Sequence, residues 1–277
     1  MTVNNSLTTN KKPRFSVAIQ SDAYKNLINQ TLGDPNRSSR FIAAISSAVA
    51  VNPALQNCDA GTIISGALVG ESLNLSPSVQ LGHYYLVPFE DRKNDRTVAT
   101  FQIGYKGFLT LAMRSGQYKK INVLAIKESE LISYNPLTEE LSVNLIENEE
   151  KREKAKTIGY YAMFELINGY QKSLYWNKDK MEAHALKYSK GYQAKKGYTF
   201  WEKDFDAMAF KTLIRQLISK WGIMSIDLEQ AYTKDMSAIH EDGKVEYVDN
   251  DNTTTFEPIS EPIEIKVEDN TLLDEQI

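Results

Sequence analysis

Positively charged side chains share single helix faces in this 277-residue chain, and contact with phosphate groups is the chemistry that they would support. In the stretch GYKGFLTLAMRSGQYKK, which begins at Gly104, Lys106, Thr110 and Arg114 follow one another every four residues. Residues i and i+4 lie on one face of a helix, so these side chains would share a face. No carboxylate interrupts residues 104–127. Because a solvated helix face usually mixes its signs, this stretch favours an anionic partner.

Two further segments also group positively charged side chains. The loop KGYQAKKG, residues 190–197, lies in a region with no carboxylate between Glu182 and Glu202. The last long predicted helix, residues 203–220, places cations on one face at four-residue spacing. Tyr118 and Tyr198 also flank these segments, although core packing is the more common role of any single aromatic residue. The candidate phosphate-contacting cations and the neighbouring aromatic residues are Lys106, Arg114, Lys119, Lys120, Lys195, Lys196, Lys211, Arg215, Tyr105 and Trp201.

Bond-making chemistry has little support in the sequence. A phosphate-binding loop needs a glycine-rich turn ending in Gly-Lys-Ser/Thr, and neither Gly107-Phe108 nor Gly243-Lys244-Val245 completes it, so we expect no requirement for ATP. The three histidines match no zinc-binding spacing, and Cys58 is the only cysteine. We therefore predict neither a catalytic residue nor a metal site.

A metal-dependent nuclease remains an alternative, because carboxylates are plentiful. Asp204 and Asp206 are the pair nearest to the basic segments. Two positions apart on a helix they would point to different sides, so we interpret them as solvated.

The elements that must position these residues are of mixed type. Apolar residues at helical spacing predict helices in residues 21–51, 58–73 and 203–220. Alternating segments predict two strand pairs, residues 80–103 and 158–176, the second joined by Asn168-Gly169. The sequence therefore predicts an α+β fold in which antiparallel hairpins pack with helices.

Four segments in chain order resemble the RecT family of phage and prophage single-strand annealing proteins. Besides GYKGFLTLAMRSGQYK they are LVGESLNLSPSVQLGHYYLVPF, FQIGYKG and WEKDFDAMAFKTLIRQLISKWG, and together the similar region spans roughly residues 38–230. The resemblance implies a core with a sheet and a helix framing a basic groove for DNA. It implies a homo-oligomer, a ring or a helical filament, that binds single-stranded DNA and anneals it into duplex without ATP. A plain single-strand coating protein is a further alternative.

Charge divides the chain into a basic body and an acidic end. Residues 1–232 hold 29 Lys plus Arg against 23 Asp plus Glu, whereas residues 233–277 hold 3 against 13. We predict a mobile arm at 1–20, an annealing core at 21–232 with subunit contacts in 21–51, and a disordered acidic tail at 233–277. The tail should compete with DNA, and annealing should survive its removal near Tyr232. By analogy with the family, a phage exonuclease or a host single-strand binding protein would dock on this tail.

The compartment predicted from the sequence is the cytoplasm. The first fifteen residues contain no apolar core of the kind found in a signal peptide, and no run of about eighteen apolar residues is present. The chain's hydrophobic residues, 42% of the total, suffice for one substantial core.

Overall fold

The computed structural model describes residues 13–91, 94–197 and 199–247. Its helices are α1 Phe15–Ala18, α2 Asp22–Leu32, α3 Pro35–Val51, α4 Ala60–Ser72, α5 Tyr105–Arg114, α6 Glu149–Lys154, α7 Lys178–Tyr188, α8 Lys190–Gln193, α9 Phe200–Lys203, α10 Phe205–Trp221 and α11 Ile226–Lys234. Its strands are β1 Tyr84–Asp91, β2 Arg96–Ile103, β3 Tyr118–Lys127, β4 Leu131–Asn135, β5 Glu140–Val143, β6 Thr157–Leu166, β7 Gln171–Asn177, β8 Ser237–Ile239 and β9 Val245–Tyr247. The predicted α+β class is confirmed.

The first sheet has the strand order β1-β2-β8-β9, with every neighbouring pair antiparallel. Helix α4 packs on its face, where Ile63, Ile64 and Ala67 are fully buried. The hydroxyl of Thr62 accepts the backbone N–H of Ala99 at 2.9 Å, which ties α4 to β2. This sheet supports α5, which begins directly after β2.

The second sheet has the order β3-β6-β7 and is also antiparallel. The hairpin between β6 and β7 turns at Asn168-Gly169, as predicted, and Gly169 adopts a positive φ of 87° that this turn requires. Helix α10 packs on this sheet and on α5. The small two-stranded sheet of β4 and β5 lies beside β7, where Ser173 donates to the carbonyl of Glu139 at 3.0 Å.

The prediction of a mobile amino-terminal arm at residues 1–20 is contradicted for residues 15–19. Residues 1–12 lie outside the described residues, but α1 is packed on the core through Phe15 and Ile19, each only 1% exposed. The prediction was wrong for these positions because two apolar side chains separated by one turn are enough to anchor a short helix, even within a polar stretch.

The acidic segment beginning at residue 233 is likewise ordered for its first part. Helix α11 continues to Lys234, and β8 and β9 extend the first sheet. Asp235 and Ser237 are buried, although both are polar. A chain cut near Tyr232 would therefore lose two strands of the first sheet, β8 and β9, and the buried carboxylate of Asp235, which contradicts the expectation that the core ends there. Residues 248–277 lie outside the described residues.

Candidate nucleic-acid interface

One end of the first sheet gathers residues that are far apart in the chain. Tyr84 at the start of β1 pairs with Ile103 at the end of β2, so the loop before β1 and helix α5 meet there. Gly104 donates its N–H to the carbonyl of His83 at 2.8 Å, and a Cβ at Gly104 would collide with the carbonyl of Gly82. The glycine at 104 therefore permits the close backbone approach that brings this loop against α5.

The cations of α5 project from this end. Lys106 is exposed, and its side chain lies against Gly82. Arg114, also exposed, donates from Nη1 to the carbonyls of Leu73 and Asn74 at 3.2 and 2.9 Å. No ion pair with another residue of the described ranges involves Lys106 or Arg114. Their positive charges are thus available to an anion.

His83 lies within the field of these two cations. Burial lowers the pKa of His83, and the positive charges of Arg114 and Lys106 lower it further. Its Nδ1 accepts the backbone N–H of Ser76 at 3.3 Å, so the ring helps to hold the loop before β1. Because the imidazole is neutral, the positive potential here comes from Lys106 and Arg114.

An aromatic pair stands beside Lys106. The rings of Tyr85 and Phe200 lie 5.5 Å apart, tilted by 43°, and both side chains are half-buried. The Tyr85 hydroxyl lies against Gly82, as does Lys106. We call this set of residues, Lys106, Arg114, His83, Tyr85 and Phe200, the sheet-end surface. Ring faces beside exposed cations can stack on bases while the cations contact phosphates.

Sequence reasoning did not identify Tyr85 and Phe200. Strand alternation was the available signal: Tyr84 is buried against α4, so Tyr85 must face the opposite side. In place of Phe200, the sequence predicted its neighbour Trp201 as an interface residue. Trp201 is only 7% exposed, whereas the preceding Phe200 reaches Tyr85.

The predicted basic loop precedes α9, which carries Phe200. Lys195 and Lys196 are both exposed. The loop is held to α9 by Glu202, which accepts the backbone N–H of Gly197 at 2.8 Å and forms a capping box with Thr199. The two lysines therefore precede Phe200 by five and four residues, in a loop that Glu202 anchors to α9. Tyr198 lies outside the described residues.

Lys119 and Lys120 are exposed but share one carboxylate. Lys119 forms an ion pair with Glu165, and Lys120 approaches the second oxygen of that carboxylate at 3.9 Å. The hydrogen bond from Lys119 holds the pKa of Glu165 below its ordinary value, so this carboxylate is charged at neutral pH. The pair contributes one net positive charge instead of two.

Lys211 is buried, so it is not an interface residue in this structure. Its Nζ donates to Oδ1 of Asp235 at 2.8 Å, and the residue is only 7% exposed. The same oxygen accepts the backbone N–H of Ile103 at 3.0 Å. The four-residue spacing predicts a cationic surface, but that face of α10 turns inward.

Arg215 lies one turn further along α10 and is about one-third exposed. Its Nε stands 3.6 Å from Oδ2 of Asp235, and its guanidinium stacks 4.2 Å from the centre of the Tyr232 ring. Its positive charge contributes to lowering the pKa of His184, which burial lowers most. The structure thus places Arg215 against α7 and α11.

Three of the aromatic residues predicted for the interface make packing contacts or hydrogen bonds within the fold. Trp201 packs edge-on against Phe205 at 5.0 Å between ring centres. Tyr105 is half-buried and packs edge-on against Phe210 at 5.5 Å. Tyr118 is buried and donates its hydroxyl to the carbonyl of Ile223 at 2.8 Å. Trp201 and Tyr105 fix α9 and α5 on α10, and this fixes the exposed residues next to them.

The two carboxylates considered for metal binding have separate structural roles. Asp204 caps α10 by accepting the N–H of Ala207 at 3.0 Å. Asp206, expected to be solvated, accepts the hydroxyl of Tyr160 at 2.6 Å. Within residues 13–91, 94–197 and 199–247, no group of three or more His, Cys, Asp and Glu side chains is arranged to hold a metal ion. Over the same ranges, no helix has the length and apolar character needed to cross a membrane.

These features define a class of protein. An α+β core carries exposed cations near a pair of half-buried rings, and that combination is typical of proteins that bind single-stranded nucleic acid without reading its sequence. Phosphate contacts give affinity, while stacking accepts any base.

The chain belongs to the RecT family, the single-strand annealing proteins of phage-type recombination, since the family matches residues 39–249. It is 40% identical over 228 residues to the uncharacterized protein YqaK of Bacillus subtilis, which covers 82% of this chain and 72% of that protein. It is 30% identical over 200 residues to the protein RecT of Escherichia coli, covering 72% and 71% of the two chains. The family match extends past residue 233, in agreement with the ordered β8 and β9.

Proposed function

We propose that this protein binds single-stranded DNA along the sheet-end surface, assembles side by side on it and anneals it to a complementary strand without ATP. The observation that carries this is the grouping of Lys106 and Arg114 with the Tyr85–Phe200 ring pair in a member of the RecT family. We place the DNA-binding groove that the family resemblance implies along this surface, continued by Lys195 and Lys196.

Annealing requires no covalent step, and the chemistry of this surface suits it. Cations that neutralise phosphates allow two strands to approach, and the hydrogen-bonding edges of the bases stay free for pairing. Base pairing then supplies the sequence information. The basic excess of residues 1–232 is small for holding a long polyanion, so several subunits in a row would be needed to make the track continuous.

Mutation of two cations tests the proposal. Lys106→Ala combined with Lys195→Ala should weaken binding to an oligonucleotide of any sequence. The slope of log affinity against log salt should become shallower by about 0.7 for each phosphate that the protein no longer neutralises. Binding is measured by fluorescence anisotropy at several salt concentrations, and annealing by the pairing of two labelled complementary strands.

The matched control is Lys154→Ala combined with Lys151→Ala on α6, which removes the same charge at exposed positions of another element. An equal reduction of affinity in the control would show a general charge effect and contradict a local site. A protein that binds strands but slows their pairing would be a coating protein. Cleavage of the DNA in magnesium would instead support a nuclease, and a requirement for ATP would contradict the mechanism.

A further inference from the structure

The segment after β9 carries a concentrated negative charge. Residues 248–277 contain nine Asp and Glu residues and one cation, Lys266. The preceding part of the chain, residues 1–247, has a net positive charge. A segment of this charge attached to a protein with an exposed cationic surface has an electrostatically complementary site within its own molecule.

The strand register fixes where this segment leaves the fold. Tyr247 of β9 pairs with Ser237 of β8, and Ser237 pairs with Phe101 of β2. The chain therefore leaves β9 at the level of Phe101, two residues before β2 ends at Ile103. Because each neighbouring pair is antiparallel, β9 runs in the same direction as β2.

That direction leads towards the sheet-end surface. Helix α5 begins at Tyr105, just past the end of β2, and Lys106 is its second residue. Neighbouring strands lie about 4.8 Å apart, so β9 is displaced sideways from β2 by about 10 Å. The thirty residues from 248 to 277 can span up to about 100 Å when extended, so they reach every cation of that surface.

We propose that residues 248–277 bind the sheet-end surface of their own chain when DNA is absent, and that a DNA strand displaces them. This regulation rests on the proposed function of the same surface. Attachment gives the segment an effective concentration in the millimolar range, so weak contacts suffice for occupancy. The acidic segment then lowers affinity for short or isolated strands, and a long strand bound by many subunits overcomes it.

The first test keeps the chain at full length. A variant with all nine carboxylates of residues 248–277 changed to Asn or Gln should bind a short oligonucleotide about fivefold more tightly than the parent at low salt. The difference should shrink towards none at high salt, since screening weakens the binding of the segment. A control with the same residues in shuffled order keeps the charge and should bind like the parent.

The second test needs no DNA. A carbodiimide, which couples carboxylates to adjacent amines, should join residues 248–277 to Lys106 and Lys195, and an oligonucleotide should abolish these products. Absence of both links, or equal low-salt affinity of the parent and the neutral variant, would overturn the proposal. An equal gain at all salt concentrations would also overturn it. If neither the parent nor the neutral variant binds DNA, the proposed function is wrong. The cross-links then still decide whether the acidic segment occupies the surface.

Discussion

Helices α5 and α10 each carry two cations on one helix face, eight residues apart on α5 and four residues apart on α10. The two sets have different environments. Lys106 and Arg114 of α5 are exposed, without a carboxylate partner in the described part of the chain. Lys211 of α10 is buried and paired with Asp235. Periodicity assigns residues to a helix face, but only packing decides whether that face meets solvent or the core.

The two helices are also connected. Asp235 accepts hydrogen bonds from Lys211 and from the backbone of Ile103, the last residue before the turn into α5. The buried carboxylate therefore ties α10 and the segment after α11 to the strand that positions Lys106. On this interpretation, the cations of α5 are the proposed DNA contacts, and Lys211 of α10 helps to hold the strand that positions them.

The largest expected effect is on stability, at Lys211. Lys211→Met leaves Asp235 buried without its main partner, and removing one member of a buried pair costs about 3–5 kcal/mol of unfolding free energy. Urea unfolding measures this change. In the double variant with Asp235→Asn, the destabilisation should be smaller than the sum of the two single values. A Lys211→Met protein that is as stable as the parent but binds DNA poorly would contradict this difference between the helices. It would support a role for Lys211 in the interface.

An intermediate effect is expected at Arg114, because it has both a free charge and structural hydrogen bonds. Arg114→Ala removes the proposed phosphate contact and the hydrogen bonds to the carbonyls of Leu73 and Asn74. We expect weaker DNA binding together with a decrease of about 1 kcal/mol in unfolding free energy. Lys106→Ala is the control, with weaker binding and unchanged stability. Unchanged stability of Arg114→Ala in urea would show that its hydrogen bonds to the two carbonyls contribute nothing.

The smallest effect is expected at Lys119 and Lys120. Since Glu165 offsets one of the two charges, the triple change Lys119→Ala, Lys120→Ala and Glu165→Gln removes one net positive charge. It should flatten the salt slope no more than the single change Lys106→Ala does. Glu165→Gln is the matched control and releases both cations. A marked gain in DNA affinity from Glu165→Gln would place the strand beside β3 and extend the interface beyond the sheet-end surface.

Much of the fold followed from local signals. The Asn168-Gly169 hairpin, the α10 helix and the first strand pair are predicted by patterns confined to a few neighbouring residues. The segments for which the prediction was wrong, α1 and the residues around β8, are short and lie in polar stretches. Their order comes from burial of single side chains such as Phe15 against distant elements, which no local pattern records.

The candidate site was predictable in part for the same reason. Lys106 and Arg114 are separated by helical spacing, and their exposure agrees with an interface. Trp201 and Lys211 are residue types that are common in nucleic-acid interfaces, but both are buried in the fold. Phe200 became a candidate only when the fold placed it against Tyr85, a residue more than a hundred positions earlier in the chain.

The sequence by itself determined the family, the α+β class and the division of charge between the body and the acidic end. These depend on residue types and on spacing along the chain. The tertiary structure decided which cations meet solvent, which aromatic residues face each other, and in which direction the chain leaves β9. Those features depend on contacts between distant segments, such as Ser237 with Phe101 and Asp235 with Ile103, whose free energy exists only when the core is assembled.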